Sequence, residues 1–110
     1  MKDDMAAVTD EAIEVLERFL ILLKTTPIRI ERAVLFGSYA SGYAHEWSDI
    51  DVALVSPDFS GVRFYDRKTL NPFMLKVDTR IEIHPFRPED FTEDDPFVKE
   101  IMRTGVELQV

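Results

Sequence analysis

Residues 35–54 read Leu-Phe-Gly-Ser-Tyr-Ala-Ser-Gly-Tyr-Ala-His-Glu-Trp-Ser-Asp-Ile-Asp-Val-Ala-Leu. An apolar run ends at Leu35-Phe36, Gly37-Ser38 follows at once, and after ten further residues Asp49 and Asp51 head a second apolar run. On a strand, carboxylates at i and i+2 project from one face with Cα atoms roughly 6.5 to 7 Å apart. Ile50, Val52 and Leu54 then point to the opposite, core face. Paired acids of this kind suit a hard cation such as Mg2+, which takes oxygen ligands and keeps waters or substrate phosphates in its remaining positions. Asp at the head of a strand is also an ordinary solvated turn residue, so Asp-x-Asp alone leaves both readings open. Gly37 stands where the backbone must turn sharply and let a ligand approach. Ser38 caps or opens a short helix, Ser38 to Gly42, whose free N–H groups and positive dipole end would face a phosphate. A strand-to-helix turn with a Ser cap would look the same; the two halves together read as a phosphate cradle facing a metal site.

Assembled, these residues resemble the nucleotidyltransferases of the DNA polymerase beta-like superfamily, whose signature is Gly-Ser, a spacer of about ten residues and Asp-x-Asp. The match is Gly37-Ser38, the spacer Tyr39 to Ser48, and Asp49-Ile50-Asp51 followed by Val52-Ala53-Leu54. More narrowly, the chain is similar to the minimal nucleotidyltransferases, short prokaryotic proteins with little beyond the catalytic domain. The resemblance implies that Gly37 and Ser38 bind the nucleotide and that Asp49 and Asp51 bind one or two Mg2+ ions and serve catalysis. It also implies a third carboxylate on a later strand, usually Asp. Ile81 and Ile83 alternate with Arg80, Glu82 and His84, so Glu82 would lie on a polar strand face and takes that role. Asp78, where the strand is only beginning, is the alternative.

Bulk properties set the frame. With 110 residues, 45% of them hydrophobic, the chain is expected to form one domain, residues 1–110, around one modest core. No signal-peptide pattern or apolar run of membrane-spanning length is expected. The absence of cysteine excludes disulfides and thiolate metal sites and fits a cytoplasmic location. A net charge of −8 argues against a general grip on nucleic acid, which needs clustered Lys and Arg.

Along the chain, residues 9–24 predict a helix with Thr9 at its N-cap and Ala12, Val15, Leu16, Phe19, Leu20 and Leu23 on one face. Ile13, Ile21 and Leu22 widen that stripe and read as further burial. Thr25-Thr26-Pro27 ends it. Strands follow at Arg32–Phe36 and Ile50–Val55, then a loop at 56–61 and a helix over 64–76 in which Pro72 kinks the helix or starts a second piece. Arg67, Lys68 and Lys76 read as solvated surface, although they could approach a triphosphate. Tyr39, Tyr43, His45 and Trp47 could stack on a base, but rings beside a small sheet more often pack. His45 and His84, two isolated histidines, do not suggest zinc. Asp78–Phe86 supplies the next strand, Asp95-Pro96 opens a last helix whose packed face is Phe97, Val98 and Ile101, Gly105 closes it, and Val106–Val110 returns as a short strand.

The expected fold is α/β, a small mixed sheet of about four strands flanked by helices on one side. The expected activity is Mg2+-dependent transfer of a nucleoside monophosphate, AMP from ATP, onto a hydroxyl of a protein partner. Polynucleotide acceptors call for a basic track, and small-molecule acceptors for an added domain or a dimer partner. The resemblance implies a HEPN-type toxin as that partner, with this chain as antitoxin and oligomers possible. A second reading is a catalytically weak subunit that neutralises its partner by complex formation.

Overall fold

The computed structural model describes residues 2–45 and 47–110, with side chains from Thr9 onward. Met1 and Glu46, the latter within the expected ten-residue spacer, lie outside the described residues. In chain order the elements are α1 (Lys2–Leu23), β1 (Arg32–Phe36), α2 (Ser38–Ser41), β2 (Ile50–Val55), α3 (Arg63–Leu75), β3 (Ile81–Phe86), a 3-10 turn (Pro88–Asp90), α4 (Pro96–Thr104) and β4 (Val106–Leu108). The four strands form one mixed sheet in the order β3-β2-β1-β4. β1 pairs antiparallel with both β2 and β4. β2 and β3 are parallel, which requires a crossover, and α3 supplies it. Pro85 is tolerated inside β3 because this strand is an edge, where a missing donor leaves no partner orphaned.

Alternation along the strands divides the sheet into two faces. On one, Ala33, Leu35, Ile50, Val52, Leu54, Ile81 and Ile83 pack with the predicted α1 stripe and with Leu70 of α3. On the other, Val34, Phe36, Ala53 and Val55 pack with Phe91, Val98 and Ile101. Helices therefore flank both faces rather than one: α4 covers part of the second face, and the β2–β3 side of that face is left for polar residues.

Three local expectations are corrected. α1 begins at Lys2 rather than after Thr9, since Ala6 and Ala7 favour helix; Thr9 is internal and its hydroxyl donates to the Tyr39 carbonyl at 3.0 Å. Ile21 is 64% exposed, because 100° per residue carries it to the far side of the helix from Leu16 and Phe19. In α4, Asp95 accepts the Phe97 N–H at 2.9 Å as the expected N-cap, but Phe97 itself is nearly half exposed while Val98 and Ile101 are buried. Pro72 lies within one continuous α3, at the expense of the hydrogen bond to the Lys68 carbonyl. Among the described residues no helix is long and apolar enough to cross a membrane.

Gly105 ends α4 with an ordinary φ of −79°, so space rather than backbone conformation demands glycine there. A Cβ would clash with Val34 Cγ1 and with the Ile101 carbonyl. Gly105→Ala should therefore cost about 1–3 kcal/mol by overpacking, read as a lower urea midpoint at unchanged m-value.

Candidate active site

The site begins where β1 ends. The antiparallel register sets Phe36 opposite Asp51, and the parallel register sets Asp51 beside Glu82. Asp51 and Glu82 thus share the sheet face that α4 only partly covers. Immediately after Phe36, Gly37 adopts φ 77° and ψ −151°, a region essentially reserved for glycine. A Cβ at this position would stand 2.5 Å from Asp51 Oδ2. The Gly37 turn and the Asp51 carboxylate are therefore in direct apposition, and any side chain at 37 would displace the acid.

Ser38 opens α2 rather than capping it. The first N–H groups of a helix have no intrahelical acceptor, so the segment after Gly37 presents donors close to Asp51. α2 is pinned from below by Tyr39, which is buried, and whose hydroxyl donates to the His45 carbonyl at 3.3 Å and accepts from Arg80 at 3.2 Å. Of the four rings expected to pack, only Tyr39 does so fully. Tyr43 and Trp47 are about 80% exposed: the loop is tied by hydrogen bonds between His45 and Ser48 and by the Tyr39 hydroxyl on the His45 carbonyl, with Ala44 rather than these rings packed against the core.

Asp49 precedes β2 and is exposed, two residues ahead of the half-buried Asp51. Asp78 is engaged elsewhere. It accepts from the Arg80 guanidinium at 2.8 and 3.1 Å and from the Arg80 backbone N–H at 2.9 Å. These bonds, the side-chain one foremost, hold its carboxyl below the ordinary carboxylate range. Glu82 has looser company, Arg67 at 3.7 Å and Arg63 at 4.0 Å.

The roles of His84 and Arg63 at the site were not anticipated from sequence, and Arg67, read as solvated surface able to approach a triphosphate, lies beside Glu82. His84, buried on the same strand face two residues past Glu82, has its Nε2 3.0 Å from Asp51 Oδ1. Its Nδ1 lies 3.1 Å from the Arg63 guanidinium. Arg63 and Arg67, one helical turn apart, reach around the β3 edge from α3. Period-two alternation placed His84 beside Glu82, and the four-residue spacing placed the arginines together; what the sequence lacked was the packing of α3 against β3. Two cavities open on this face and share Phe97 as a wall. One, about 470 Å³, is lined by Gly37, Ser41 and Arg103; the other, about 600 Å³, by Arg63, His84, Arg87 and Asp94.

Among the described residues no three His, Asp or Glu side chains are gathered into a ready-made cation cage. Mg2+ does not require one, since it is commonly held by one or two carboxylates together with substrate phosphates and water. The donor set fits that chemistry: Asp51 and Glu82 in register, Asp49 close by in sequence, and a glycine turn that leaves room over Asp51.

Two outcomes follow from this geometry. Gly37→Ala should lose about 1–3 kcal/mol of stability from backbone strain, and a crystal structure of the variant should show the Asp51 carboxylate displaced. Asp78 has a depressed carboxyl in the folded state, so its contribution to stability is complete above the ordinary value of 3.8 and is lost as pH falls below it. Urea midpoints measured from neutral to strongly acid pH should fall more steeply below pH 3.8 in the wild type than in Asp78→Asn.

Known proteins share this architecture. A family model described as "Nucleotidyltransferase domain" matches residues 14–106. Among solved structures, the fold is similar to that of a "putative nucleotidyltransferase" from Sulfolobus solfataricus, with a TM-score of 0.66 and 18% sequence identity, over 94% of this chain and 84% of that one. No curated protein matches the sequence. The mixed four-stranded sheet with flanking helices is thus the nucleotidyltransferase fold, and with most of its length matched by the family model, the chain belongs to the nucleotidyltransferase domain family.

Proposed function

We propose that the protein transfers AMP from ATP, with Mg2+, to a hydroxyl on a protein partner, and that this partner is a HEPN-type toxin for which the chain is the antitoxin. The observation that carries the transferase reading is the apposition of the Gly37 turn to Asp51, with Glu82 in register beside it. In this reading the Gly37-Ser38 segment binds the terminal phosphates through backbone N–H groups. Asp49, Asp51 and Glu82 hold Mg2+, which when bound supplies charge neutralisation at the phosphate oxygens. Glu82 also accepts the proton of the attacking hydroxyl. The acceptor oxygen bonds to the α-phosphorus as the bond to the bridging oxygen breaks, and pyrophosphate leaves.

A protein acceptor is favoured by the charge of −8, which gives a polynucleotide little to hold. It is favoured too by the outer face of α3, where Phe64 and Leu75 are each at least 60% exposed beside a groove of about 700 Å³ that also contains Arg63 and Arg67 of the site. That apolar face equally favours a second reading, neutralisation by complex formation without transfer.

Intact-mass spectrometry of a HEPN-type partner incubated with the protein, ATP and Mg2+ distinguishes the two. The expected result is one or more additions of about 329 Da on a tyrosine, the mass of a transferred AMP group. Asp49→Asn and Asp51→Asn should each abolish the addition while remaining folded, and as relief of acid repulsion they should be no less stable than wild type. An unshifted but inhibited partner would support complex formation alone; an unshifted, active one would remove the antitoxin proposal; wild-type addition by either variant would remove the metal-site reading.

A further inference from the structure

We propose that His84 is a positioning residue: held in one tautomer by Arg63, it fixes the Asp51 carboxylate with Oδ1 committed to the imidazole and Oδ2 presented at the Gly37 turn. The proposal rests on Asp51 being a metal ligand, as read above. Its geometry is independent of that reading. A guanidinium donates and cannot accept, so the contact of 3.1 Å between Arg63 and Nδ1 makes Nδ1 the acceptor. The proton of the neutral ring then sits on Nε2, which donates to Asp51 Oδ1 at 3.0 Å. The opposite tautomer would face the Arg63 donor with another donor and leave Asp51 with none.

The ring has little freedom to do otherwise. It is buried, meets Phe36 edge-on with centroids 4.8 Å apart, and lies 5.9 Å from the Phe97 ring. Its strand position, diagonal to Asp51 across the parallel β2–β3 pair, is what brings an imidazole within reach. Asp51 is thereby restrained on both sides, by the Nε2–H on one oxygen and by the Gly37 backbone against the other. A carboxylate with free rotation would have to be ordered when a cation arrives; this one is already oriented. Hydrogen bonds to a ligating carboxylate commonly set metal affinity in this way, and their loss typically costs 10–100-fold.

The test uses Mn2+ as the probe, with affinity measured by electron paramagnetic resonance in the absence of acceptor. His84→Leu, which keeps apolar volume and removes the donor, should weaken Mn2+ binding 10–100-fold. His84→Gln, whose amide N–H can reach toward Asp51, should restore most of the loss at comparable thermal stability, a rescue that a purely packing role would not produce. Asp51→Asn serves as the control. Loss of affinity in Asp51→Asn with none in His84→Leu overturns the positioning role alone. No loss in either overturns the metal-ligand reading of Asp51 and the proposal with it. Nitrogen-15 NMR of the wild-type imidazole at mildly alkaline pH adds a measurement that needs no variant: the Nε2–H tautomer is expected, and an Nδ1–H tautomer overturns the proposal however the variants fold.

Discussion

The rest of the site depends on how closely the backbone at Gly37 lies against the side chain of Asp51. That contact needs three things at once. β1 must end at Phe36, so that the residue after it is level with Asp51 in the antiparallel register. The chain must then leave the sheet through a conformation that only glycine adopts readily. Finally, α2 must be held down after the turn. Tyr39 does this, buried against the core and hydrogen-bonded through its hydroxyl, while Thr9 of α1 donates to its carbonyl. The Gly-Ser motif is therefore a steric specification for one carboxylate as much as a prospective phosphate cradle. The long α1 helps to fix the element that follows the turn, through the Thr9 hydroxyl on the Tyr39 carbonyl.

Strand order does the rest. With β2 beside the edge strand β3, the polar ends of both strands fall on a strip that α4 covers only in part, Phe97 reaching His84 and Phe86 while Val98 and Ile101 pack in the cluster of Val34, Phe36, Ala53 and Val55. An edge also has an outside. α3 packs its Leu70 on one sheet face, yet its arginines turn around β3 and reach Glu82 and His84 on the other. Had β3 been an internal strand, a helix on the first face could not have reached the site.

How much of this the sequence discloses depends on the range of the interaction. The Gly37-Ser38 and Asp49-Asp51 spacing, the strands at 32–36 and 50–55, and the Asp95-Pro96 start of α4 are legible because each is set by residues close together in the chain. The face shared by Asp51 and Glu82 is legible one step further, through period-two alternation. The contacts of His84 and Arg63, and the pairing of Arg67 with Glu82, are not, because the partners lie 21 or more residues away for His84 and on another element for the arginines. The exposed Tyr43 and Trp47 mislead for the opposite reason. Their composition reads as packing, whereas the loop meets the core through Ala44 and the Tyr39–His45 hydrogen bond and leaves these two rings outside. Helices on both faces were missed because the sequence of α4 shows an amphipathic stripe without saying which face of the sheet receives it.

Glu82 differs from the acids that arginines hold tightly. Arg80 on Asp78, Arg87 on Asp90, Arg103 on Glu100, Arg29 on Asp58 and Arg32 on Glu107 all close to between 2.6 and 2.9 Å. Each is a two-pronged pairing in which both carboxylate oxygens are engaged by one guanidinium. Glu82 faces two arginines and closes on neither, at 3.7 and 4.0 Å. Arg63 instead spends its short contact on His84. The two cations still offset the repulsion that Glu82 would feel from Asp51, but at these distances and partial exposure the pairing is weak, so little holds the Glu82 oxygens back from another partner. Five arginines each grip one acid with both prongs; neither of the two arginines facing the acid beside Asp51 does so.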